Sequence, residues 1–200
     1  MSALTALAGG VFESSIDVDS AELRHLVDDI GRRSSDARLG HRTRPERFDD
    51  ALWQTLEETG LARLTSTPDL EAGPIELAVV LRGLARHAGA VPIAETDLLA
   101  AWLAETDLLA AWLAETAVLD LLANGPLTFA TADATITGAR ISGTAADVPW
   151  TRVAAAIILT ANTSEGCLVA QLDPDAIVID DGHNLAGEPR DRISFDLPTD

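Results

Sequence analysis

The chain has 200 residues, of which 47% are hydrophobic, and this is enough to bury the core of one large domain or two small ones. The formal net charge of −18 argues against nucleic acids and anionic membranes as partners, because their phosphates would be repelled. Cys167 is the only cysteine, which excludes an intrachain disulfide bond. Since residues 1–13 lack the pattern of a signal peptide, we predict a cytoplasmic location.

The first half of the chain has the hydrophobic spacing of helices. Ser20 and Asp49 are suitable caps, because their side-chain oxygens can accept hydrogen bonds from the first turn of a helix. Pro74 suits a first helical turn, where its missing N–H is not needed, and Gly60 suits the end of a helix. These signals predict three helices, at about 21–33, 50–60 and 74–87.

A ten-residue unit, Ala-Glu-Thr-Asp-Leu-Leu-Ala-Ala-Trp-Leu, occurs twice without a mismatch over residues 94–113. In one straight helix the two copies would lie about 15 Å apart and would face directions about 80° apart. They cannot make the same contacts, so we predict a lengthened helix or one displaced copy, with Trp102 and Trp112 unequally buried. Four carboxylates within residues 98–123 argue against a membrane span.

The pattern changes after Asn124-Gly125-Pro126, which is a strong stop signal. Short β-rich runs follow, separated by turns, at 127–131, 135–138, 140–143, 153–160, 167–172, 176–179 and 192–197. We therefore predict an α+β fold with a tail (1–18), a helical domain (19–124) and an antiparallel, barrel-like β-domain (125–200). The β-domain is expected to expose an open strand edge and apolar surface.

Local motifs do not reveal a catalyst. The sequence has no glycine-rich phosphate loop, no nucleophile elbow and no histidines at metal-ligand spacing. Residues 180–184, Asp-Asp-Gly-His-Asn, lack the alternating ligands and the closing Glu of a calcium loop, so we interpret them as a tight turn between strands.

The order of segments is more informative than any single motif. Residues 48–61 form a Trp-bearing helix pattern ending in Gly-Leu, and Pro-Asp-Leu-Glu-Ala-Gly follows at 68–73. A long helix pattern and a Val-Pro element come next, at 77–86 and 90–96. This succession resembles the N-terminal helical domain of the acyl-CoA dehydrogenases, and removing one copy of the repeated unit improves the resemblance. Residues 141–159 and 192–197 resemble the middle β-domain of the same family.

The resemblance implies a flavoprotein that binds FAD and removes two hydrogens from the α and β carbons of an acyl-CoA thioester. In the family a Glu takes the α-proton and the flavin accepts the β-hydride. That Glu lies in a C-terminal four-helix domain, which the family has beyond the position that matches Asp200. We therefore assign no catalytic residue and expect a truncated or non-catalytic, subunit-like chain that is inactive alone.

Two family segments that lie against the flavin are altered in this sequence. The Thr-Glu-Pro-x-x-Gly-Ser loop corresponds to residues 128–133, where Thr131 is the nearest match to a flavin-contacting hydroxyl. The aromatic-Ile-Thr-Asn segment corresponds to residues 147–150, where Pro149 replaces the Thr and offers neither hydroxyl nor N–H. Trp150 and Thr151 are left as residues that could contact the ring. The alternative for both is ordinary packing of a Trp and a strand Thr.

These losses resemble the degenerate subunits of heteromeric acyl-CoA dehydrogenases that act on steroid side chains. The resemblance implies a homo- or hetero-oligomer with another acyl-CoA dehydrogenase-like subunit. Two other hypotheses stay open. One is a non-enzymatic partner-binding or relic protein that retains the fold. The other is an unrelated acidic helical domain joined to a small β-domain with a binding role.

Overall fold

A computed structural model describes residues 20–41, 43, 46–100, 124–164 and 166–199. The predicted tail and the predicted difference between Trp102 and Trp112 lie outside these residues. Among the described residues, no helix is both long and apolar enough to cross a membrane. The described chain divides into a helical unit, made of residues 20–39 and 50–89, and a sheet unit, made of residues 40–49 and 90–199. The domain boundary predicted near Asn124 stays a prediction.

Three α-helices and two short 3₁₀ turns form the helical unit. The helices are α1 (Ala21–Ala37), α2 (Asp50–Glu58) and α3 (Pro74–Arg86), and the 3₁₀ turns are Leu61–Arg63 and Pro68–Leu70. Gly60 ends the second helical segment in the left-handed conformation, with φ of 76°, as predicted. Pro74 begins α3, where the Glu76 carboxylate accepts a 2.9 Å hydrogen bond from the N–H of Gly73.

The start of α1 differs from the prediction in its capping. The Ser20 side chain makes no capping hydrogen bond, and the Ser20 carbonyl instead accepts one from the N–H of Arg24 at 2.9 Å. The helix also continues past Arg33 to Ala37, because the polar residues after Arg33 contain no proline or glycine to stop it.

Small residues allow α1 and α3 to approach each other closely. A Cβ atom added at Gly83 would lie 2.5 Å from Cγ1 of Val27, and one added at Gly31 would lie 2.8 Å from Cδ2 of His87. Val27 is fully buried, so it has no room to move away. The contacts pair Val27 with Gly83 and Gly31 with His87, so the two helices run in the same direction where they touch.

The sheet unit begins with a π-helix (Ala94–Ala100), a rare form that replaces the predicted start of an ordinary helix. Six strands follow it: β1 (Leu127–Thr137), β2 (Arg140–Pro149), β3 (Ala156–Thr163), β4 (Gly166–Leu172), β5 (Val178–Asp180) and β6 (Arg190–Pro198). The two β-rich runs predicted at 127–131 and 135–138 are a single strand. A 3₁₀ turn (Pro174–Ala176) precedes β5.

The six strands lie in the order β4-β3-β1-β2-β6-β5, which corrects the predicted antiparallel, barrel-like arrangement. The pair β1 and β3 is parallel, with Leu127 opposite Ala156, so the sheet is mixed. The described strands form an open sheet with β4 and β5 at its edges. The α+β class is confirmed, whereas antiparallel pairing throughout and closure are not.

The parallel pair arises from the short connection at residues 150–155. The end of β2 lies beside the start of β1, where the Thr128 hydroxyl donates a 2.6 Å hydrogen bond to the carbonyl of Pro149. The connection then has to pass only one strand, about 5 Å wide, to begin β3 on the other side of β1. The N–H of Ala155 donates to the carbonyl of Pro126 at 2.7 Å and fixes this crossing.

The core of the sheet unit is an apolar layer on one face. Ile157, Leu159 and Ile193 are fully buried there, and Phe195 packs with them. Edge strand β4 has no charged residue, so it lacks the usual protection of a free strand edge. The predicted open edge is therefore present in the described part of the sheet.

Candidate functional site

The first residue of β1 is hydrogen-bonded through both its N–H and its carbonyl to one side chain. The Thr96 hydroxyl, on the π-helix, donates to the carbonyl of Leu127 at 3.0 Å and accepts from its N–H at 2.9 Å. Both residues are fully buried. The Thr96 hydroxyl thus satisfies both backbone groups of Leu127, as a neighbouring strand would. It also fixes the π-helix to the sheet at this point.

Farther along β1, a polar strip lies on the face of the sheet opposite the main core. Thr131 is exposed on β1, and its register partner on β3 is Thr160. Paired residues on neighbouring strands point to the same face. Two positions on, the Asn162 amide donates to the Asp133 carboxylate at 3.4 Å, which shows that this row shares a face. We call Thr131, Asp133, Thr160 and Asn162 the threonine strip.

Thr160 is the unusual member of the strip. Its hydroxyl oxygen is buried and has no hydrogen-bond partner among the described residues. A buried hydroxyl without a partner costs free energy, so such groups are rare in folded proteins and each calls for an explanation. Thr160 could not be identified from the sequence, because a Thr in a β-rich run has no distinguishing signal.

Trp150 lies in the turn after β2, and its side chain is 4% exposed. Its backbone is in the left-handed region, with φ of 55°, which is unusual for a bulky residue. The Phe48 ring packs edge-on against it, with ring centroids 6.2 Å apart and planes at 65°. The indole N–H is buried without a partner among the described residues. Trp150 therefore offers an unused donor in an aromatic surrounding.

The next residue, Thr151, is fully buried, and its hydroxyl is already used. It donates to Oδ2 of Asp191, which is itself fully buried. Oδ1 of Asp191 accepts from the N–H of Gly182 at 2.9 Å and from Nη2 of Arg152 at 3.1 Å. The Arg152 guanidinium also pairs with Asp181 at 3.0 Å. We call these five residues the Asp191 cluster.

The Asp191 cluster fixes residues 180–184, the segment that the sequence predicts to be a tight turn. Asp181 and Gly182 hold the connection after β5 against the turn after β2, and the N–H of Arg190 donates to the carbonyl of Gly182 at 3.1 Å. A Cβ atom at Gly182 would overlap the carbonyl oxygen of Arg190, so only glycine fits there. The described residues contain no group of three or more His, Cys, Asp or Glu side chains that could hold a metal.

Glu95 is a partly buried carboxylate on the π-helix. Burial raises the pKa of the Glu95 carboxyl, and nearby Glu188 raises it further, against the opposing effects of a backbone hydrogen bond and of Arg190. Arg190 is itself paired with Glu188 at 2.7 Å. The carboxyl of Glu95 is thus in an environment that favours its neutral form.

The three residues predicted to contact a flavin occupy different settings. Thr131 is exposed on the threonine strip, Trp150 is buried with a free N–H, and Thr151 is buried within the Asp191 cluster. Thr128 touches Pro149, so Thr131 lies about 10 Å along β1 from the start of the Trp150 turn. Cofactor contact by all three residues stays a prediction.

The fit to a flavin depends on donors and on a flat apolar surface. The threonine strip offers an exposed hydroxyl at Thr131 and an unpartnered one at Thr160, and Phe129 precedes them on the same face of β1. Trp150 offers an indole donor. These groups match the carbonyl oxygens and ring nitrogens of a flavin, so the described residues fit the cofactor.

Solved structures share the fold of this chain, although no family model and no curated protein matches its sequence. The ChsE4–ChsE5 complex from Mycobacterium tuberculosis matches at 20% identity over 92% of this chain and 56% of that chain, with a TM-score of 0.68. The Tcur3481–Tcur3483 steroid ACAD, solved as a variant, matches at 22% identity over the same shares, with a TM-score of 0.69. The FAD complex of PigA matches at 12% identity over 94% of this chain and 57% of that chain, with a TM-score of 0.62.

These matches confirm at the level of the fold the resemblance to acyl-CoA dehydrogenases, including steroid-type heteromeric ones, that the sequence indicated. The chain spans a little over half the length of the structures it matches.

Proposed function

We propose that this chain is an acyl-CoA dehydrogenase-type subunit that supplies one wall of an FAD site and does not catalyse dehydrogenation by itself. The observation that carries the proposal is the threonine strip, where an exposed Thr131 and the unpartnered Thr160 share one face of a fold found in flavoproteins. When bound, FAD would accept the hydride from the β carbon of an acyl-CoA thioester. The predicted cytoplasmic location is retained as part of the proposal.

Each residue of the site would have a distinct part in holding the cofactor. Thr131 and Thr160 would donate hydrogen bonds to polar atoms at the edge of the flavin ring, which would satisfy the Thr160 hydroxyl. The Trp150 indole N–H would donate at the other end. Thr151 would act indirectly, because its bond to Asp191 fixes the turn that carries Trp150.

The proposal that this chain does not supply the catalytic base rests on the carboxylates near the threonine strip. Asp133 lies on it, but it is exposed and already accepts a hydrogen bond from Asn162. Asp191 is surrounded by donors and is fully buried, so it cannot reach a substrate. A base on a second polypeptide would complete the reaction, and the heteromeric ChsE4–ChsE5 and Tcur3481–Tcur3483 fold matches support such a partner.

Flavin binding is the direct test. The full chain, alone and with a cognate subunit, would be titrated with FAD while flavin fluorescence and absorbance are followed. We expect binding that weakens about tenfold in Thr131→Val and in Thr160→Val, since each loses one hydrogen bond to the ring. Thr135→Val is the matched control, because Thr135 lies four residues along β1 on the same face. Absence of FAD binding in both samples contradicts the cofactor assignment.

An activity assay tests whether the chain catalyses dehydrogenation by itself, separately from whether it binds FAD. With an acyl-CoA and an artificial electron acceptor, the flavin-loaded chain should not turn over alone and should do so once a base-carrying subunit is added. Turnover by the chain alone would show that it carries its own base and would contradict the subunit role.

A non-enzymatic, partner-binding role is the alternative. It is favoured by Pro149, which offers no hydrogen-bond donor, and by Thr151, whose hydroxyl is already committed to Asp191. Under this alternative the chain would form a stable complex with its partner subunit, and neither sample would contain flavin. The same titration therefore distinguishes the two functions.

A further inference from the structure

A groove of about 910 Å³ runs between α1 and α3 in the helical unit. One face of α3 forms its floor from Pro74 to Arg86, a length of about 18 Å. The volume lies within the range of small-molecule sites, which is about 300–1,000 Å³. None of the residues considered above for flavin binding lines this groove.

The groove is apolar at one end and basic at the other. Pro74, Ile75 and Ala78 form the apolar end, on the first turns of α3, and Ile75 is 50% exposed. Arg82 and Arg86 follow at four-residue spacing on the same face of the helix. The groove therefore separates an aliphatic surface from a cationic one along the length of α3.

The opposite wall adds one more arginine. Arg24 of α1 lines the groove opposite the middle of α3, because it precedes Val27, which meets Gly83, by about one turn and the two helices run in the same direction. The one acidic lining residue, Asp28, accepts a 2.8 Å hydrogen bond from His87 and lies 3.7 Å from Arg86. The bond from His87 lowers the pKa of the Asp28 carboxyl, so its negative charge is present and faces Arg86.

A cationic surface is unexpected on a chain with a formal charge of −18. The general field of such a chain repels anions, so a site that binds one needs local arginines to overcome it. Arginine is also the side chain best suited to planar, two-point contacts with carboxylate or phosphate groups. Arg82 and Arg86 at one end of an aliphatic groove, with Arg24 opposite its middle, are therefore complementary to an anionic head joined to an aliphatic tail.

We propose that the groove between α1 and α3 binds a free amphiphile, with its carboxylate or phosphate head at Arg24, Arg82 and Arg86 and its aliphatic tail along Ala78, Ile75 and Pro74. This site lies in the helical unit and goes beyond the proposed flavin function. Its failure and the failure of FAD binding can therefore be observed separately.

Calorimetric titration of the full chain with decanoate tests the proposal. Decanoate should bind more tightly than butyrate, which has the head but too short a tail. The double variant Arg82→Gln/Arg86→Gln should weaken decanoate binding at least about tenfold, because two charge-assisted contacts are lost. Ile75→Gln should weaken decanoate and leave butyrate unchanged. All three positions are exposed on α3, so the variants should fold.

Arg32→Gln is the matched control, because Arg32 pairs with Asp29 at 2.7 Å on α1 and does not line the groove. It should bind decanoate as the unmodified chain does. The proposal is overturned if the double variant keeps full affinity, or if decyltrimethylammonium binds as well as decanoate. It is also overturned if phosphatidylglycerol vesicles bind through these arginines while free decanoate does not, since the ligand would then be a lipid surface.

Discussion

Two places in the sheet unit use threonine in opposite ways. In the Asp191 cluster, the Thr151 hydroxyl is buried and donates to a buried carboxylate that three other donor atoms also approach. On the threonine strip, the Thr160 hydroxyl is buried with no partner in the described part of the chain, and Thr131 is exposed. The first place is satisfied by the chain itself, whereas the second leaves hydrogen-bonding capacity unused.

A ligand can add binding energy at the threonine strip but not in the Asp191 cluster. A satisfied hydroxyl gains nothing from a new partner, because the old hydrogen bond must break first. An unpartnered buried hydroxyl already carries the cost of losing water, so a ligand that meets it gains most of the bond. We therefore expect substitutions in the Asp191 cluster to change stability and those on the strip to change ligand affinity.

Removal of the Asp191 carboxylate should produce the largest effect. In Asp191→Ala the Thr151 hydroxyl and the Gly182 N–H lose their acceptor inside the protein, and the Arg152 guanidinium keeps Asp181 but loses Asp191. We expect the free energy of unfolding to fall by about 3 kcal/mol, somewhat less than for a fully buried ion pair, because Arg152 is partly exposed. Urea denaturation followed by circular dichroism would measure it.

Asp196→Ala is the control on the same strand. Asp196 also pairs with an arginine, Arg140 at 2.8 Å, but both side chains are mostly exposed. Its removal should leave the free energy of unfolding nearly unchanged. Equal losses in the two variants would show that burial of Asp191 is not what makes the cluster important.

Thr151→Val should have the next largest effect. It removes one donor from Asp191 and keeps the shape of the side chain, so we expect a loss of about 1–2 kcal/mol of unfolding free energy. FAD affinity should change little at temperatures where the variant stays folded. A large loss of FAD affinity without a loss of stability would mean that Thr151 contacts the cofactor directly, as the sequence resemblance implied.

The sequence predicted the helical elements well because their signals are local. Pro74 and Gly60 mark a helix start and a helix end through their own backbone preferences. The parallel pairing of β1 and β3 could not be predicted this way, because strand order depends on contacts between distant segments. The role of Asp191 could not be predicted for the same reason, since Thr151 is 40 residues from it in the sequence.

Unlike Asp191→Ala and Thr151→Val, Thr160→Val should not lower the free energy of unfolding. It replaces an unpartnered buried hydroxyl with a methyl group of the same shape, so unfolding free energy should stay the same or rise by up to about 1 kcal/mol. FAD affinity should fall in the same protein. If stability drops instead, the hydroxyl has a hydrogen-bond partner and the contrast with Thr151 is lost.

Glu95→Gln should give the smallest effect, and it depends on pH. The native pKa of Glu95 is raised by burial, so the native state holds an extra proton between the unfolded and the folded pKa. Stability therefore falls as pH rises through that window and stays lower above it. The variant should match the unmodified chain in acid and melt slightly higher at neutral pH, as measured by thermal melts at both pH values. Equal melting curves at every pH would contradict the pKa shift.

The position of β6 has a consequence for how the sheet forms during synthesis. β6 is inserted between β2 and β5, and its residues pair with β2 positions about 50 residues earlier in the chain. Until β6 leaves the ribosome, the edge of β2 along Arg140–Ala145 has no neighbouring strand, and β5 has no strand to pair with. Such late, long-range pairing slows folding and leaves nascent strands open to wrong partners, so expression at low temperature or with chaperones should improve the yield of folded chain.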